Sequence, residues 1–186
     1  MSLLPVFQWL GDTQWSIALH ESLYLYPLIE SVHVLTLCLF IGMTMMWDLR
    51  LLGWTLRAVP FSELTERLMP WMKAGFVVMV VTGVLLVYAI PVRSYQSIWF
   101  RVKVVMLILA GVNAWVFHLT VERSAPAWGR APRPPRAARI AGALSLTLWI
   151  GIIVTGRMIA YNWFDCDKQP QPAVVNMLAG CVADSK

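Results

Sequence analysis

Glu30, His33, Lys103 and Arg157 place ionisable groups inside stretches of chain that otherwise read as lipid-soluble. A charge at the centre of a bilayer costs about 2.5–3.5 kcal/mol on insertion scales, so residues of this kind usually face a protein interior and mark a site. Glu30 and His33 stand i, i+3 and share one helix face. A Glu at such depth calls for a cationic partner, and Arg157 or Lys103 is the candidate for a structural bridge, although both cations also have stems long enough to snorkel to headgroups. His33 adds what a bridge does not need, an imidazole able to ligate a metal or haem iron or to relay a proton.

Further side chains bear on a second ligand. His118 sits near the far end of its span, about 15–18 Å from the level of His33 at 1.5 Å per residue, so one porphyrin iron cannot take both. Met158, next to Arg157, is a weaker candidate for the second axial position, because a chain with ten methionines uses most of them for packing. His20 precedes the first span and could bend towards the same layer. A second polar group, Asp48, Arg50, Asn113, Ser145 and His118, gathers at the opposite ends of the spans and is expected to be a structural network, with Asp48 and Arg50 in easy reach of water.

The elements that must position these groups follow from composition. The chain has 186 residues, 59% hydrophobic and 13% charged, too little polar surface for a soluble domain of this size. Four windows lack Asp, Glu, Lys and Arg altogether: 31–47, 74–92, 104–121 and 140–156. With their flanks, each reaches the roughly 20 residues needed to cross a hydrocarbon core. The expectation is an all-α integral membrane protein, a single domain whose four-transmembrane-helix bundle has spans at 26–48, 71–92, 99–121 and 138–162. An N-terminal interfacial amphipathic helix at 3–22 and a tail at 163–186 complete it.

Basic residues set the expected orientation. Arg50, Arg57, Arg67 and Lys73 follow the first window, Arg123, Arg130, Arg133, Arg136 and Arg139 follow the third, and residues 1–29 hold neither Lys nor Arg. The positive-inside rule therefore puts both termini on the periplasmic side of a bacterial inner membrane, with the net charge of +5 serving topology and membrane lipid rather than nucleic acid. Cys166 and Cys181 then fall on the oxidising side and are expected to form a disulfide, while Cys38 reads as a small packing residue. Tyr24, Tyr26, Trp99, Tyr161 and Trp163 form one expected aromatic belt, and Trp47, Trp54 and Trp71 the other. A short surface helix is expected within 55–69, and Gly42, Gly75, Gly83, Gly111, Gly142, Gly151 and Gly156 should allow close helix approach. The chain lacks CxxC, HExxH, Walker, dinucleotide-fingerprint and GxSxG motifs.

Three blocks carry a resemblance: LYPLIESVHVLTLCLFIGMTMMWDLRLLG; PWMKAGFVVMVVTGVLLVY with FRVKVVMLILAGVNAWVFH; and SLTLWIGIIVTGRMIAY. Over about residues 23–161 the chain resembles the bacterial membrane family catalogued as domain of unknown function 6644, which implies architecture but no activity. More distantly, the early His and late Arg of the first span, the TG of the second and the early Lys of the third are similar to the copper-resistance protein D group and the four-helix membrane protoporphyrinogen oxidases. In the oxidases a His and a Lys so placed are associated with a b-type haem, which here implies His33 and Lys103. The expected function is haem-b-linked membrane electron transfer, with His33 on the iron, Lys103 and Arg157 on propionates or a quinone carbonyl, and Glu30 orienting His33 or moving protons. Expected partners are a redox protein or quinone, in a homo-oligomer or a larger complex. The alternative is a cofactor-free accessory subunit or a small-solute or metal-ion permease.

Overall fold

In the computed structural model, residues 3–161, 164, 166 and 170–181 are described. Trp163 and parts of the 163–186 tail, both named above, lie outside the described residues. Among the described residues the chain is all helical: α1 (Leu4–Gly11), α2 (Gln14–His20), α3 (Leu25–Leu52), α4 (Phe61–Ala89), α5 (Pro91–Gln96), α6 (Ile98–Thr120), a 3₁₀ turn (Glu122–Ser124), α7 (Ala125–Trp128), α8 (Arg136–Tyr161) and α9 (Ala173–Ala179). The long helices α3, α4, α6 and α8 supply four candidate membrane spans. Only 17–22% of each span's apolar window is buried, so most of the hydrophobic surface faces outward and requires lipid as its solvent. This is an integral membrane bundle.

Several boundaries differ from the sequence reading for identifiable reasons. The amphipathic segment is two helices rather than one, because Thr13 starts α2 as its N-cap, its Oγ1 accepting from the Ser16 amide at 3.3 Å. The expected surface helix within 55–69 and the second span are one helix, α4, which runs through Pro70 without ending. At the other end α4 stops at Ala89, and Pro91 opens α5 at a position where its missing N–H costs nothing. Helix α3 ends in a Schellman turn: Gly53 adopts φ +71°, its amide donates to Arg50 O at 3.0 Å, and the Trp54 amide donates to Leu49 O at 3.1 Å.

The chain divides into two compact units, each containing a segment of all four long helices. The first comprises Met1–His33, Val81–Val105 and Ile153–Lys186. Here the short N-terminal helices are pinned down: Phe7 stacks on Tyr95 at 4.8 Å, Ser16 Oγ donates to Tyr88 O at 2.7 Å, and Thr13 Oγ1 meets Tyr88 Oη at 2.7 Å. A Cys166–Cys181 disulfide closes the tail, and Arg101 reaches the C-terminal end of α9 through the carbonyls of Leu178 and Ala179. Trp99 is partly buried against Phe164 rather than presented to a lipid interface.

The second unit comprises Val34–Val80 and Met106–Ile152. One cluster joins Phe40, Ile41, Met72, Ala110, Leu148, Trp149 and Ile152, and another joins Leu51, Phe61, Phe117, Val121, Trp128 and Ala138. Trp47 is part of this packing, donating to Thr65 Oγ1 at 3.0 Å and meeting Phe117 edge-on, so it is a core residue and not a belt residue. Trp54 and Trp71 are exposed, as a belt requires. Gly75 and Gly142 permit close crossings, whereas Gly42 and Gly111 face open space and Cys38 is exposed.

Candidate functional site

The first unit brings His33 and Lys103 together. His33, on α3, has its Nδ1 2.8 Å from Thr82 Oγ1 on α4. Thr82 is buried, and Gly83 beside it gives the ring room: a Cβ there would stand 3.4 Å from His33 Cε1. The TG pair thus does two things, one residue gripping the imidazole and the next making space for it. Lys103 enters from α6 and lies close enough for its charge to act on the imidazole. Its Nζ rests over Gly156 of α8, where a Cβ would approach it to 3.4 Å. Four helices therefore contribute, and two of the contacts use glycine as a slot.

The other expected members are placed differently. Arg157 is exposed, stacks its guanidinium over Tyr161 at 4.9 Å and donates from Nη2 to Tyr161 Oη at 3.2 Å. Glu30 is exposed, and among the described residues no ion pair joins it to Arg157 or Lys103. A Glu30 bridge is not what holds this layer together. Met158 is partly buried one residue beyond Arg157. His20 meets Tyr26 edge-on at 6.2 Å and lines a separate cavity of about 380 Å³ with Glu21 and Arg93.

The polar group of the second unit is not the water-accessible network expected of it. Asp48 and Arg50 are 1% and 0% exposed. Arg50 donates from Nε to Val59 O at 2.9 Å and from Nη2 to Gly129 O at 3.0 Å and Ala131 O at 3.4 Å, tying the end of α3 to both loops of the unit. Asn113 donates to Ala141 O at 3.0 Å. His118 is exposed and pairs at 2.6 Å with Glu122, four residues on in the 3₁₀ turn that follows α6, which removes it from the group.

Thr82 is the functional candidate that sequence reasoning did not assign. The signal was its adjacency to Gly83 within a charge-free span, a pattern that recorded a motif but not a partner for His33. No group of three His, Cys, Asp or Glu side chains gathers among the described residues. A metal held by protein ligands alone wants three or four such donors, whereas a haem brings four nitrogens of its own and needs one or two from the chain.

A model described as a family of unknown function, DUF6644, matches residues 20–162. The chain belongs to that family. The match covers all four long helices and both His33 and Lys103, and leaves out most of the N-terminal arm and the tail. No curated protein and no solved structure matches the chain.

Proposed function

We propose that the first unit binds a haem b and that the protein takes part in membrane electron transfer, with His33 as the protein ligand to iron. The observation that carries this reading is the 2.8 Å contact between His33 Nδ1 and Thr82 Oγ1. With Nδ1 donating to the threonine, Nε2 keeps its lone pair for a metal, and the bond fixes the tautomer and the ring plane, as the outer partner of a ligating histidine does. Bound there, the haem would supply a one-electron carrier. Lys103 would meet a propionate carboxylate from its seat over Gly156, and Arg157, exposed and stacked on Tyr161, would meet the other or a quinone carbonyl. Glu30, exposed one turn before His33, would exchange protons with water.

The orientation belongs to the same reading: both termini on the periplasmic side of a bacterial inner membrane, supported by the basic residues of 50–73 and 123–139. Titration of the purified protein with haemin tests the proposal. A saturable Soret band at one haem per chain, absent from His33→Ala, is the expected result. Absorbance that stays featureless in the native chain after expression with ample haem and after added haemin overturns it.

A further inference from the structure

Asp48 sits on α3 in the second unit, 1% exposed, and neither carboxylate oxygen accepts a hydrogen bond among the described residues. Among the described residues no ion pair reaches it. The Ser145 hydroxyl of α8 lies beside the carboxylate. Thr44, also buried, occupies the same face one turn earlier and gives its proton to Phe40 O at 2.9 Å, which leaves its oxygen free to accept or coordinate. Arg50 is two positions on, about 200° round the helix, and donates from Nε and Nη2 to the loop carbonyls, while its Nη1 is buried without a hydrogen-bond partner among the described residues. Every other charged side chain on the long helices of this unit is exposed.

The backbone holds the carboxylate in place. Helices α3 and α8 cross at Gly142, where a Cβ would stand 3.0 Å from Asp48 O and 2.9 Å from Leu51 Cβ. A carboxylate locked in so dry a crossing, with no protein cation facing it, carries a desolvation cost of several kcal/mol unless something neutralises it. Oxygen donors alone, with one negative charge and no imidazole or thiolate, suit a small hard cation, and a single charge balances a single charge.

We propose that Asp48, with Ser145 and Thr44, is a buried binding site for a small monovalent cation, a proton or a sodium ion. The site is separate from the His33 layer and needs no haem. The test uses the full chain in lipid nanodiscs, comparing NaCl with choline chloride at equal ionic strength by thermal unfolding, and recording the infrared spectrum at neutral pH. A sodium occupant appears as a Tm raised by NaCl over choline chloride, with the increment lost in Asp48→Asn. A proton occupant appears as a carboxylic-acid C=O band that disappears in Asp48→Asn, with no sodium effect on Tm. If Asp48→Asn does not fold, Ser145→Ala serves instead, and either the sodium increment shrinks or the carboxylic band shifts in frequency. A Tm indifferent to sodium together with an Asp48 that absorbs only as carboxylate overturns the proposal.

Discussion

Thr82 carries more of the proposed site than any residue except His33, and its contribution can be isolated. Thr82→Val keeps the shape and removes the hydroxyl. Loss of an outer hydrogen-bond partner typically costs a ligating histidine about 10–100-fold in affinity, so haemin titration of Thr82→Val should show weakening in that range, with Thr82→Ser restoring most of it. Gly83 acts through volume. Since a Cβ would already be in contact with His33 Cε1 at 3.4 Å, the further atoms of a residue larger than Ala there should displace the ring and reduce haem binding while leaving the helical circular dichroism unchanged. At this scale the sequence was informative about polarity and silent about partners. His33 and Lys103 stood out because ionisable groups are rare in lipid, and both lie in the first unit. Asp48 and Arg50 read instead as a water-accessible structural network, because their burial and the carbonyls Arg50 satisfies depend on how two loops fold back, which no local pattern encodes.

At the scale of elements, the long helices were legible because lipid demands uninterrupted apolar runs. Their ends were less so. A surface helix within 55–69 and a span from 71 were expected as separate elements, yet α4 runs through Pro70 as one helix, and the short α9 in the tail has no periodic signature. Arg50 gives the end of α3 its own test. Arg50→Met fills the space but takes the guanidinium donors from the carbonyls of Val59 and Ala131, leaving Gly129 O only the Phe61 amide, and should cost about 3 kcal/mol in detergent unfolding experiments, with Arg50→Lys recovering little because one ammonium cannot span that fork. For the tail, the loop closed by Cys166 and Cys181 spans 15 residues of separation, and closing a loop of that size contributes about 3 kcal/mol. Replacing both cysteines by Ser should therefore speed proteolysis within the tail, and Arg101→Ala should add to the effect by freeing the end of α9.

For the whole molecule, the outward-facing apolar surface and the arginine-bearing loops make one joint claim about how the chain sits in a bilayer. In a Cys38→Ala background, a cysteine placed at Leu23 should react with a membrane-impermeant maleimide in intact cells whose outer membrane admits it, and one placed at Arg130 only after the inner membrane is opened. The reverse pattern would move the His33 layer to the cytoplasmic side. The central claim is chemical, however, and the reduced-minus-oxidised optical spectrum of the purified native chain, recorded beside His33→Ala, tests it most directly. The account predicts the α and Soret bands of a b-type haem in the native protein and a flat difference spectrum in the variant. A flat spectrum from both, or the same bands from both, would contradict it.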